Sequence, residues 1–339
     1  MDYSGYYKGK SILVTGGTGS IGKELVKKLV KLDINTIRVL DNNETALFEL
    51  GEELGLEKLR LFIGDIRDEE RLDRAVEGID IVFHAAALKH VPLCEYNPFD
   101  AVKTNIIGTQ NVLNSALNQN VEKVVLISTD KAANPVNVMG ATKLLAERLT
   151  LAANSYKGNR RTTFSCVRFG NVLGSRGSVI PTFMQQIKSG GPVTITDPEM
   201  TRFIMSIPKS VELILKAGQL SRYGEIFIFK MPALNIKHLA ESMIRHFSGI
   251  YSIDDKTPVK IIGKRPGEKL YEELMTETES ENAYENDEMF IIHSYNPYSD
   301  DIIEMPGGFV KAVNKNYLSS DVKLLSQEEI IEIFRNNSL

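Results

Sequence analysis

The chain has 339 residues, 42% hydrophobic and 25% charged, with a net charge of −4, enough for one large nucleotide-binding domain and a smaller companion. It carries no long run of Lys or Arg that would favour nucleic acid, so an anionic substrate has to be held by locally placed cations. Cys94 and Cys166 make neither a disulfide framework nor a metal-ligand spacing, and the five histidines fall outside any HxxxH or HExxH pattern. The polar start and the lack of any stretch near ~18 apolar residues lead to an expectation of a cytoplasmic protein without a membrane segment or metal.

In chain order, Lys10 to Arg168 alternates apolar strands with amphipathic helices. Strands are expected at Ser11–Val14, Thr36–Leu40, Leu59–Ile63, Ile79–His84, Val121–Ser128 and Thr163–Val167. Helices are expected at Gly22–Leu32, Asp100–Asn118 and Asn137–Ala153. This alternation predicts an α/β fold, a doubly wound parallel sheet with right-handed crossovers. Beyond Gly170 the segments shorten and Gly and Pro mark the turns, with strand returning near Glu225–Phe229. The expected division is a nucleotide-binding domain over 1–170 and a smaller α/β substrate lobe over 171–339, interleaved with it. Thr276–Asp287, acidic and polar, reads as an exposed loop or loose helix.

The run Gly16, Gly17, Thr18, Gly19, Ser20, Ile21, Gly22 follows the first strand and opens a helix. Glycines at that spacing allow a tight turn and close approach to a pyrophosphate, whose charge then meets helix N-terminal N–H groups. Asp41 ends the second strand, where a carboxylate accepts from both ribose hydroxyls and repels a 2′-phosphate. No Arg follows it in Asp41, Asn42, Asn43, Glu44, so NAD is favoured over NADP. Asp65 and Ile66 are placed to bracket the adenine, and the small side chains of Ala85, Ala86 and Ala87 let a cofactor pass.

Ser128, Thr129, Asp130 and Lys131 end the fifth strand, at the edge where open parallel sheets place their ligands. Met139 and Lys143 follow on one helix face, one turn apart. A thioether accepts no proton from a sugar hydroxyl, whereas Asp130 and Lys131 supply the adjacent acid and base of an elimination.

The strings STDKAANPVNVMGATK, AALKHVPLCEYNP, VRFGNVLGSRGSVIP and RPGEKLYEEL resemble the polysaccharide-biosynthesis branch of the extended short-chain dehydrogenases, whose best-known members are UDP-N-acetylglucosamine 4,6-dehydratases. The resemblance runs from about residue 8 to about residue 275. It implies an internal redox cycle on NAD: oxidation at sugar C4, removal of the C5 proton by Lys131, loss of water from C6 with Asp130 as acid, and return of hydride to C6. Where many dehydratases of this group carry Tyr this chain has Met139, like a Met-x-x-x-Lys subset. The 4-hydroxyl proton then goes to Thr129, Asp130 or a water they hold, while Lys143 keeps its place beside the nicotinamide ribose. Retention at C5 is expected over inversion. The resemblance further implies that Lys89, His90, Asn171, Arg176, Arg202, Arg265 and Glu268 meet the UDP-sugar, and that the chain forms a homo-oligomer. A 4-epimerase and a catalytically dead NAD-binding sensor are the competing readings.

Overall fold

The computed structural model describes residues 3–175, 177–251, 257–293, 304–313 and 315–336. Six parallel strands form the heart of the main sheet: β1 (Ser11–Thr15), β2 (Thr36–Asp41), β3 (Leu59–Ile63), β4 (Ile81–His84), β5 (Lys123–Ile127) and β6 (Thr163–Arg168). β1 lies between β2 and β4, with Ile12 opposite both Ile37 and Ile81. The strand order therefore reverses at β1, and a ligand crevice opens outside the carboxyl ends of the strands there. Every residue of β1 and of β6 is buried, as a strand covered on both faces requires.

Helices α1 (Ser4–Tyr7), α2 (Ser20–Val30), α3 (Glu44–Leu54), α4 (Glu69–Val76), α5 (Val91–Tyr96), α6 (Pro98–Val102), α7 (Thr109–Asn118) and α8 (Val138–Tyr156) cover or flank this half. The helix expected over Asp100–Asn118 is not one regular helix. It is broken by a π-turn over Lys103–Gly108 that leads into α7. The wider turn aims Asn105 at the Ala-rich loop after β4: its side chain accepts from Leu88 N at 2.8 Å and donates to Thr142 Oγ1 at 3.0 Å. Such a turn redirects a side chain that a regular helix would present elsewhere.

The second half extends the first and also builds its own core. The strand Glu225–Phe229 joins β6 in parallel, and Met289–His293, Ala283–Glu285 and Val310–Lys311 continue the sheet antiparallel. A separate lobe gathers Ile180, Phe183, Ile187, Ile204, Met243, Phe247 and Phe334 around the helices Val179–Lys188, Ile236–Tyr251 and Gln327–Asn336. Thr276–Asp287, expected as loose, is ordered. A capping box between Thr276 and Glu279 starts a short helix over Glu277–Ser280, followed by the strand Ala283–Glu285.

One ion cluster ties the two halves together. Arg168, fully buried at the end of β6, donates to Glu147 of α8 at 2.6 and 3.1 Å and to Glu279 at 2.9 Å through each Nη. It also donates to the Leu274 carbonyl at 3.0 Å. Buried charges persist only when paired and hydrogen-bonded in this way.

Candidate active site

The glycine loop sits tightly against its surroundings. Gly16 has φ +67°, and a Cβ there would lie 2.6 Å from Ala86 N; a Cβ on Gly22 would lie 2.2 Å from the Gly16 carbonyl. Gly19 caps α2 without a side-chain bond, so no side chain blocks the first N–H groups of the helix. The backbone can thus meet an anion at close range, the arrangement a dinucleotide pyrophosphate needs.

Two clefts meet over this loop. The first, about 450 Å³, is lined by Gly16, Thr18, Gly19, Asp41, Asn42, Asp65, Ile66 and Ala85 to Ala87. Asp41 Oδ2 accepts from Thr18 N at 3.0 Å and from Thr18 Oγ1 at 2.8 Å, and Oδ1 accepts from Asn43 N at 3.1 Å. Three acceptor positions are therefore used inside the protein, and of the roughly four that a carboxylate offers little remains beyond one ribose hydroxyl. Arg67 enters the same cleft from a distant stretch of chain and pairs with Asp65 through Nε at 3.0 Å and Nη2 at 2.7 Å. Inspection of the residues just after Asp41 could not find it, because the chain returns to this pocket only after β3.

The second cleft, about 520 Å³, runs from Gly19, Ser20, Ile21 and Gly22 past Ala87, Lys89 and His90 to Thr129, Lys131, Met139, Lys143 and Asn171. α8 brings Met139 and Lys143 to it. Asn137 caps the helix by accepting from Gly140 N at 2.8 Å, and a Cβ on Gly140 would lie 2.3 Å from the Lys131 carbonyl. The helix start therefore rests directly on the 3₁₀ turn of Asp130–Ala132. Met139 is buried, packed with Cys94 and Ala101. Lys143 donates to the Ile127 carbonyl at 2.7 Å, and burial lowers its ammonium pKa to about 8. The His90 ring lies beneath Gly177, whose φ is +70°.

At the inner end of this cleft stands a charged cluster. Thr129 Oγ1 donates to Asp130 Oδ1 at 2.6 Å, and Lys131 Nζ lies 3.1 Å from the same oxygen and 3.3 Å from Glu272 Oε1. Burial works against charge on Asp130, but Lys131 and hydrogen bonds outweigh it and hold the carboxyl below its ordinary value. Burial also works against the Lys131 ammonium, and Asp130 with Glu272 outweighs it and raises the pKa. Glu272 accepts from Asn171 Nδ2 at 2.9 and 3.0 Å and from Phe203 N at 3.0 Å. Its burial and the Asp130 charge push its carboxyl up to about 7. Sequence reading did not single out Glu272.

Two further cavities open from the same point. One, about 470 Å³, is shared by Asp130, Lys131, Asn171, Arg202, Arg265 and Glu268; the other, about 330 Å³, extends from Asn171, Arg202, Arg265 and Glu268 into the smaller lobe. Arg202 is already engaged: Nη1 donates to the carbonyls of Thr201 and Leu270, Nη2 to that of Lys269, and Nε lies 3.3 Å from Glu272. Its place is to hold the Glu272 segment. Arg265, whose backbone N–H donates to Glu268 at 3.1 Å, lines both cavities. Arg176 lies outside the described residues. Among the described residues no group of His, Cys, Asp and Glu is arranged to hold a metal, and no helix is long and apolar enough to cross a membrane.

The sequence matches the family described as "Polysaccharide biosynthesis protein" over residues 12–294. It is 59% identical over 343 residues to an "uncharacterized membrane protein" of Methanocaldococcus jannaschii, covering 100% of this chain and 99% of that one. It is 44% identical over 288 residues to an inverting UDP-N-acetylglucosamine 4,6-dehydratase of Campylobacter jejuni, covering 84% and 83%. It is 39% identical over 333 residues to a UDP-glucose 4-epimerase of Rickettsia conorii, covering 96% and 95%. The X-ray structure of Pen from Bacillus thuringiensis superposes with a TM-score of 0.91 at 43% identity, covering 98% and 99%. With its Rossmann-like sheet, its glycine loop and its Thr-Asp-Lys turn facing a Met-x-x-x-Lys helix, the chain belongs to the polysaccharide-biosynthesis branch of the extended short-chain dehydrogenase family.

Proposed function

We propose that the protein is an NAD-dependent 4,6-dehydratase of UDP-N-acetylglucosamine, a lyase that forms a UDP-4-keto-6-deoxy-N-acetylhexosamine. The observation that carries this reading is the Asp130–Lys131 pair at the carboxyl end of β5, where Lys131 lines the same cleft as Lys143 and Asp130 the cavity that adjoins it. An acid and a base side by side serve an elimination, and transfer at C4 alone has no use for them. Bound NAD supplies the hydride acceptor for C4 and the donor for C6. The adenosine half belongs over Asp41, Asn42, Asp65 and Ile66, the pyrophosphate on the glycine loop, and the nicotinamide ribose beside Lys143. The Asp41 carboxylate favours NAD over NADP.

With Met139 in the tyrosine position, the sugar O4 proton leaves through Thr129, whose hydroxyl already bonds to Asp130. Asp130, so protonated, hands that proton to the departing C6 hydroxyl. Lys131 takes the proton from C5, which the 4-ketone acidifies. Arg265, Asn171 and Glu268 hold the UDP end, with the smaller lobe as the nucleotide-sugar half of the molecule. At C5 the Campylobacter relative, an inverting enzyme by name, moves the reading from retention, expected from the sequence, to inversion.

The Rickettsia relative, an epimerase by name, supports a second reading, 4-epimerisation of a UDP-hexose. The test is to incubate the protein with NAD and either UDP-N-acetylglucosamine or UDP-glucose and to follow product mass. Loss of one water from the N-acetylated substrate is expected. A product of unchanged mass with the C4 configuration reversed would establish the epimerase instead.

A further inference from the structure

This inference rests on the dehydratase reading and concerns how Lys131 becomes a base. Its ammonium lies between two carboxylates, 3.1 Å from Asp130 and 3.3 Å from Glu272, and both favour the charged form. An ammonium has no lone pair, so in this arrangement Lys131 cannot take a proton from C5. A group in contact with Nζ has to relieve it first. Asp130 suits that task poorly: its Oδ1 already accepts from Thr129 at 2.6 Å, and the reaction needs it to carry the O4 proton to C6.

We propose that Glu272 takes the ammonium proton of Lys131, from Nζ to Oε1, and so releases Lys131 as the C5 base. Glu272 is held for this by Asn171 Nδ2, by Phe203 N and by Arg202 Nε on one side, with Lys131 and Asp130 on the other; Lys269 is a further cation near it. Only 4% of the residue is exposed. Burial penalises both charges of the pair, and what holds the ammonium charged against it is the joint presence of the Asp130 and Glu272 carboxylates, so the transfer belongs to the stage at which Asp130 has been neutralised. The carboxyl, raised to about 7, is a better proton acceptor than a surface glutamate.

The protons balance. The Nζ–H bond breaks and the Oε1–H bond forms without net charge leaving the cluster. The O4 proton passes through Thr129 to Asp130 and departs with the C6 oxygen as water. Loss of the Asp130 charge at that moment further weakens the hold on the Lys131 proton. The free Nζ pair takes the C5 proton. After hydride has reached C6, a water delivers a solvent proton to the opposite face of C5, the surplus proton leaves the cluster to solvent, and the cluster regains its starting state.

The experiment compares wild type, Glu272→Gln and Glu272→Asp in kcat and KM across pH with UDP-N-acetylglucosamine. Wild-type kcat should fall on the acid side near pH 7, because a protonated Glu272 accepts nothing. Glu272→Gln should lose kcat by about 10²–10⁴-fold, with KM changed by less than about threefold, and should lose that acid limb. Glu272→Asp should recover part of the rate together with an acid limb. A Gln variant with wild-type turnover, or one slowed but with the acid limb in place, would overturn the proposal. If the Gln variant does not fold, an Asp variant whose acid limb moves supports it, and one whose limb stays put overturns it. A wild type that forms no dehydrated sugar removes the dehydratase reading and the proposal with it, which separates the two failures.

Discussion

Glu272 and Glu273 are neighbours in one short motif and both line the 470 Å³ cavity, yet only Glu272 is paired with Lys131. Glu272 points inward to Lys131, while Glu273 accepts from Asn134 Nδ2 at the surface. Successive residues of an extended segment face opposite sides, and nothing in the string says which side is the cleft. The sequence singled out Asp130, Lys131 and Lys143, because their spacing along one turn and one helix is a local property. Glu272 becomes visible only when a segment some 140 residues away is laid against that turn, the pair being separated by 141 positions. Burial gives Glu272 a second consequence, for stability. Its carboxyl is raised from the ordinary 4.5 to about 7, so the folded state holds a proton that the unfolded state has already lost between those values. That contribution is full below the unfolded value and disappears as pH rises through the folded one. Glu272→Gln, which cannot ionise, should therefore gain in Tm relative to wild type on going from about pH 5 to about pH 8. A Tm difference that stays flat or shrinks over that range would contradict the assigned environment.

At the level of elements, the six parallel strands were legible because each is an apolar run between helical periods. Their observed bounds, Leu59–Ile63 among them, lie within two residues of those expected. The break at Lys103–Gly108 was not, because a π-turn has the same composition as the helix it interrupts. The segment from Thr276 misled for a different reason: its acidic residues read as solvent-facing, and one of them, Glu279, is the partner of the buried Arg168. That arginine joins β6, α8 and the chain just beyond Glu272, so the cluster fixes Lys143 and Glu272 relative to one another. Replacing Arg168 by Met would leave Glu147 and Glu279 without their counter-ion. The expected loss is about 3–5 kcal/mol of unfolding free energy, measured as a lowered midpoint in urea. A loss below about 1 kcal/mol, the scale of an exposed pair, would show that the cluster does not hold the halves together.

For the whole molecule, the division of labour follows from where the strand order reverses. The crevice beside β1 receives the glycine loop, the Ala-rich loop and the Thr-Asp-Lys turn, and the smaller lobe closes its far side with Arg265 and Glu268. Sequence expected two halves with interleaving. In the structure the last strands of the main sheet come from residues 225–311. Interleaving of that extent is invisible in local patterns, because pairing across a sheet depends on which strands meet and not on what each one looks like. The measurement that bears most directly on the account is the reaction of the NAD-loaded protein with UDP-N-acetylglucosamine in D₂O, followed by NMR. The account predicts a 4-keto-6-deoxy sugar with deuterium at C5 and the coupling pattern of an inverted centre. A product that keeps its protium at C5, or a sugar altered only at C4, would contradict it.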